Sequence, residues 1–106
     1  MTPFKQAIAI CGLSQQEAAE FLGVSKSSVD SWCNGRREPQ AGVWRDLAAL
    51  YDRMDEAAET AISLIEEHKP DKIEFTYSGA HGKWPSVRCA DTVEAMVRLR
   101  LAVETD

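Results

Sequence analysis

Lys26, Ser27, Ser28, Asp30, Ser31 and Asn34 fall within nine residues, and Arg36 and Arg37 follow at once. At 100° per residue, Ser27, Asp30, Ser31 and Asn34 share one side of a helix with Lys26 at its margin, and Val29 and Trp32 take the other. The polar side offers ammonium, hydroxyl, carboxylate and carboxamide groups, and the arginines add guanidinium. Such groups exchange hydrogen bonds and charge with a polar surface; none is paired here with a partner that would make it a nucleophile or a proton shuttle. The plainer reading of the serines is helix capping, since serine favours helix starts. Trp32 reads as core.

No other set of residues competes for chemistry. His68 and His81 are single and unclustered, and no glycine-rich phosphate loop or metal-spaced His/Cys/Asp/Glu group occurs. Cys11, Cys33 and Cys89 are odd in number and far apart, which speaks for ordinary reduced thiols rather than a disulfide framework or a zinc site. The expectation is therefore a non-enzyme with no cofactor, no metal and no small-molecule substrate.

The polar helix needs a frame, and the flanking sequence predicts one. Pro3 suits a first helical turn, Phe4, Ala7, Ile8 and Cys11 keep helical spacing, and Gly12 closes that helix. Ser14 followed by Glu17 is a capping-box start for a helix to about Leu22 that buries Ala18, Ala19 and Leu22. Gly23 supplies the left-handed residue of a sharp turn, Val24 packs inward, and Ser25 caps the polar helix, which stops at Asn34-Gly35. Arg36-Arg37-Glu38-Pro39 then forms an exposed basic loop.

Residues 13–39, LSQQEAAEFLGVSKSSVDSWCNGRREP, resemble the helix-turn-helix of phage-repressor and Cro type regulators, the XRE family. The resemblance spans residues 4 to about 50. It rests on Ser14-Gln15, Ala19, Gly23-Val24-Ser25, Val29, Trp32 and Asn34-Gly35 at coupled positions. It implies a lambda-repressor-like helical domain whose third helix enters the major groove of double-stranded DNA. Carried over by position, Gln15 and Asn34 would hold phosphates, Lys26, Ser27, Asp30 and Ser31 would face bases, and Ser28 is counted with them as a DNA-binding residue. Arg36 and Arg37 would touch phosphates or an adjacent groove. Cys33 departs from the pattern, standing where the family commonly has glutamate. Ser27 and Ser31 are too short to discriminate strongly between bases, which leaves specificity to Lys26, the arginines, Asp30 or DNA shape.

From Ala41 to His68, Val43, Leu47, Leu50, Met54, Ala57, Ala58, Ala61 and Ile65 hold one stripe, flanked by Trp44, Tyr51 and Ile62. This predicts one long amphipathic helix, or two collinear helices broken near Asp52 to Asp55, with most acidic residues on the opposite face. Beyond Lys69-Pro70-Asp71, KIEFTY (72–77) alternates as a strand, SGAHGK (78–83) is a turn-rich loop, and WPSVR (84–88) is expected as a second strand. Asp91 or Thr92 is expected to cap a last helix with Val93, Met96, Val97, Arg100 and Leu101 at core spacing. The fold class is thus mainly α with a small β-ribbon. Residues 1–50 form the helix-turn-helix domain, 51–69 a linking helix and 70–106 a strand–helix dimerisation element.

One helix-turn-helix reads a half-site, so a homodimer on a two-fold repeat is expected. Ile73, Phe75, Tyr77, Trp84, Val87 and Met96 are the candidate dimer interface, since a short ribbon needs a helix or a partner to cover it. The alternative is that they cap the monomer core. The order helix-turn-helix, long helix, strand, W-x-x-x-R and last helix also resembles the anti-CRISPR-associated (Aca) regulators of phages and mobile elements. That resemblance implies a dimeric repressor of its own operon, acting at an inverted repeat in the promoter. An antitoxin or a plain phage repressor shares the same reading head.

Charge distribution qualifies this expectation. The chain is net −5, but residues 1–45 hold five basic against four acidic side chains, and residues 46–106 hold seven against thirteen. A near-neutral head on an acidic body is compatible with DNA. The acidic balance slightly favours a protein-interaction module that has lost it, and Lys26, Arg36 and Arg37 beside the polar helix face oppose that module. The interrupted apolar run at the start is no secretory signal, and no stretch is long enough to span a bilayer, so a cytoplasmic protein without membrane contact is expected.

Overall fold

A computed structural model describes residues 2–69 and 84–104 and places five helices in them: α1 (Pro3–Ile10), α2 (Gln15–Leu22), α3 (Lys26–Cys33), α4 (Ala41–His68) and α5 (Val87–Glu104). The expected strand KIEFTY and the loop 78–83, with Ile73, Phe75 and Tyr77, lie outside the described residues.

The first three helices start and stop on local signals. The Thr2 hydroxyl accepts from the Lys5 amide at 3.2 Å and donates to the Cys33 carbonyl at 2.9 Å, so the cap of α1 also ties α1 to the end of α3. Ser14 and Glu17 form a complete capping box on α2, with bonds of 3.1 and 2.9 Å. Gly23 ends α2 at φ +69°, and the Val24 amide reaches back to the Ala19 carbonyl at 3.0 Å. Ser25 caps α3 through the Ser28 amide at 3.1 Å.

α4 is one continuous helix of 28 residues, about 42 Å long at the usual rise, with no break near Asp52 to Asp55. Leu47, Leu50, Met54 and Ala58 are buried on it as the periodicity predicts, and Trp44 and Tyr51 are exposed beside them. Ile62 is not a flank but core, 6% exposed. α5 packs along α4. The buried row Met54–Ala58–Ile62 keeps i, i+4 spacing, which drifts round a straight helix and carries the buried stripe with it. Asp52, Glu56, Glu66 and Glu67 face solvent. Asp55 and Glu59 instead receive Arg100 of α5 at 2.7 and 3.3 Å, so Arg100 is an ion-pair residue at the edge of the helix pair.

The C-terminal segment corrects two expectations. WPSVR (84–88) is not a strand: residues 84–86 are a bend and Val87 opens α5. The cap is neither Asp91 nor Thr92. Ser86 accepts from the Cys89 amide at 2.9 Å, and Thr92, inside the helix, bonds back to the Arg88 carbonyl at 2.9 Å. The helix extends this far because Cys89 and Ala90 continue the apolar row of Val93 and Val97; all four are buried. Cys89, Val93 and Val97 belong to the same core cluster as Phe4, Leu13, Val29 and Met54. Among the described residues no strand is present, and no helix is long and apolar enough to cross a membrane.

All three cysteines are free and buried. Burial, reinforced by the neighbouring Cys11 thiol and opposed by Arg53, pushes the Cys89 thiol up from 9.0 to about 11. The folded chain keeps this proton where the unfolded chain releases it. The associated stability is whole below pH 9.0 and is lost as pH rises to about 11. Denaturant titrations across that window should show a steeper alkaline loss for the native sequence than for Cys89→Ala; parallel curves would remove Cys89 as the cause.

Candidate nucleic-acid interface

α3 exposes its polar side because its other side is consumed by the core. Val29, Trp32 and Cys33 are buried, and Phe4 of α1 meets the Trp32 ring edge-on at 5.4 Å between centroids. Buried Ala18 and Ala19 keep α2 close to α3. What remains outward is Lys26, Ser27, Asp30 and Ser31, then Asn34 and the loop beyond. Eight residues of helix are about 12 Å long, a ridge on the scale of the major groove.

Lys26 and Asp30 form an i, i+4 ion pair at 3.2 Å, half exposed on both sides. The Lys26 ammonium is thereby held over the ridge, and the carboxylate that would repel a phosphate is neutralised. An exposed pair of this kind adds little stability, so its effect is on the charge pattern of the surface. Ser25 links to Ser27 at 3.2 Å and donates to Ser28 at 3.0 Å. Ser28, half-buried with its amide on Ser25, belongs to the cap rather than to the outward face.

Asn34 closes α3 and accepts from the Arg36 amide through Oδ1 at 3.2 Å, which turns its NH2 donors to solvent. Arg36 and Arg37 are exposed, and their amides bond to the Ser31 carbonyl at 3.0 and 3.4 Å, so the loop leaves the helix along a defined path. Gly35 makes this possible at φ +83°.

Gln15, Lys26, Asp30 and Asn34 line one shallow concave surface, and Lys5 of α1 lines it with them. Lys5 is the residue that sequence reasoning missed. It lies outside the helix-turn-helix itself, and only the packing of α1 against α3 brings it there. Arg37 is elsewhere: it borders a separate cleft with Thr2, Trp32, Pro39 and Trp44. Trp84 is half-buried with Arg53 stacked over its ring at 5.2 Å, Met96 packs partly against the core, and Val87 is 53% exposed. Among the described residues no group of three or more His, Cys, Asp or Glu is placed to hold a metal ion.

Two short helices joined through Gly23, with the second held out on a hydrophobic rear face, define a helix-turn-helix protein. The family model described as a helix-turn-helix domain matches residues 6–61, more than half of the chain. The chain belongs to this family of DNA-binding regulators. No curated protein and no solved structure matches it significantly.

Proposed function

We propose that the chain is a transcriptional repressor that binds an inverted repeat as a homodimer and limits expression of its own operon, in the manner of the anti-CRISPR-associated regulators it resembles. The observation that carries this reading is the outward face of α3, where Lys26, Ser27, Asp30 and Ser31 lie exposed or half-exposed with Gln15 and Asn34 at its sides. The wall of base-reading groups belongs to α3, and phosphate contact to Gln15, Asn34, Lys5 and the Arg36-Arg37 loop. Self-association is supported by apolar side chains that a monomer leaves in water on α5, Leu99 at 68% and Val103 at 77% exposed. The interface of the proposed dimer draws on residues 70–106, with Val87 exposed at the near end of the same helix.

Electrophoretic mobility shift on the DNA immediately upstream of the reading frame, at two salt concentrations, tests the proposal. A salt-sensitive shift that random DNA competes poorly is expected, with a footprint over an inverted repeat. A folded protein that shifts no DNA would favour a protein-interaction module using the acidic face of α4.

Lys26→Ala should weaken promoter binding roughly tenfold, about 1.4 kcal/mol. It removes one cation and also leaves the Asp30 carboxylate unneutralised toward the DNA. The double variant Lys26→Ala/Asp30→Ala should recover part of the loss, and unchanged affinity in the single variant would remove Lys26 from the contact set.

A further inference from the structure

The surface around Gln15 continues past the helix-turn-helix. Lys5 and Gln15, which border the concavity with Lys26, also border a second one, and its far wall is Arg88 of α5. Three helices distant in sequence thus bring Lys5, Lys26 and Arg88 to one continuous face of a chain that is net −5. Lys26 is paired with Asp30, whereas among the described residues neither Lys5 nor Arg88 has a carboxylate within ion-pair distance. Glu17, the nearest acidic side chain in sequence to Gln15, has its Oε1 committed to the Ser14 amide.

Arg88 is also fixed in place. The residue two before it, Ser86, donates its hydroxyl to the Gly12 carbonyl at 2.7 Å, and the residue after it, Cys89, is wholly buried. Between these anchors the Arg88 backbone touches the α1–α2 turn: a methyl group built on Gly12 would lie 2.7 Å from the Arg88 carbonyl carbon and oxygen. The guanidinium, itself exposed, is carried on a rigid mount beside Gln15.

We propose that Arg88 binds a DNA phosphate next to the one held at Gln15 and Lys5, so that the C-terminal helix is part of the DNA interface and α5 docking is required for full affinity. This rests on the DNA-binding reading given above. Phosphate contact is independent of sequence, so a random-sequence duplex is a sufficient probe. Fluorescence anisotropy of that duplex is measured from about 50 to about 200 mM salt for the native protein, Arg88→Gln, Arg88→Lys and Arg98→Gln. Arg98 lies on the same helix about 15 Å further along and is paired with Glu94, so its variant carries the same change in net charge away from the site.

Arg88→Gln is expected to lower the slope of log K against log salt by about 0.9, which makes its deficit shrink about threefold across that range. Arg88→Lys should keep the native slope, and Arg98→Gln should match the native protein. Equal slopes and affinities for Arg88→Gln and the native protein would overturn the assignment of Arg88 while leaving DNA binding intact. Equal losses in Arg88→Gln and Arg98→Gln would reduce the effect to net charge and overturn it too. Failure of the native protein to bind any duplex would overturn the DNA reading itself.

Discussion

Replacing Gly12 with alanine is expected to cost on the order of 2–5 kcal/mol and to loosen α5 from the α1–α2 turn. Two penalties add at this position. Gly12 sits at φ +73°, where an L side chain costs about 1–2 kcal/mol. Its added Cβ would also stand 2.6 Å from the Cys89 nitrogen and 2.7 Å from the Arg88 carbonyl group, and all of these are backbone atoms that cannot rotate away. Relief requires moving the first turn of α5, which strains the Ser86–Gly12 hydrogen bond and unseats Cys89 from the core. Gly23→Ala is the matched control. Gly23 has nearly the same φ, +69°, but a Cβ there meets nothing within 4 Å, so only the conformational penalty remains. Urea unfolding of the two variants separates close approach from backbone strain. Similar losses in both would mean that α5 yields easily and that the contact at Gly12 contributes little.

The contrast between these two glycines also marks what local sequence can convey. Gly23, Ser14, Glu17 and Ser25 act within three or four residues of themselves, so the turn and both caps are readable from the sequence and are found where the spacing puts them. The buried sides of α1, α2 and α3 follow for the same reason, since each is set by a helical period. Gly12 and Ser86 act on each other across 74 positions, and no window of sequence contains both. That is why WPSVR, with Trp84 and Val87 bracketing a proline, read as a strand although Ser86 is a helix start. Lys5 carries no local signal for the same reason: it is an ordinary exposed residue of α1, and its place beside Gln15 and Lys26 is a product of packing. Ile62, a flank by helical period alone, is core in the folded chain. The outward face of α3 was legible because a helix with two buried aromatic or β-branched residues, Val29 and Trp32, has only one side left for Lys26, Ser27, Asp30 and Ser31.

The same dependence on packing makes Phe4 the side chain whose loss should be felt most by α3. Phe4 is 2% exposed and meets two indoles edge-on, Trp32 at 5.4 Å and Trp44 at 6.0 Å. It therefore joins α1, the rear of α3 and the start of α4 at one point. Phe4→Ala removes the shared ring and leaves a cavity behind α3, at an expected cost of about 3–5 kcal/mol. Against a usual total of about 5–15 kcal/mol for a small domain, that is a large share of the stability. Phe4→Leu keeps most of the volume but loses the two ring contacts, and should cost less than half as much. Thermal unfolding followed by tryptophan emission reads both variants, because Trp32 and Trp44 flank the altered site. Below its lowered melting temperature Phe4→Ala should still bind DNA, since the outward face of α3 is untouched, but less tightly as the helix rocks on its emptied rear wall. A stability loss under about 1.5 kcal/mol would show that Thr2, through its bonds to the Trp32 and Cys33 carbonyls, holds α1 to α3 without the aromatic contact.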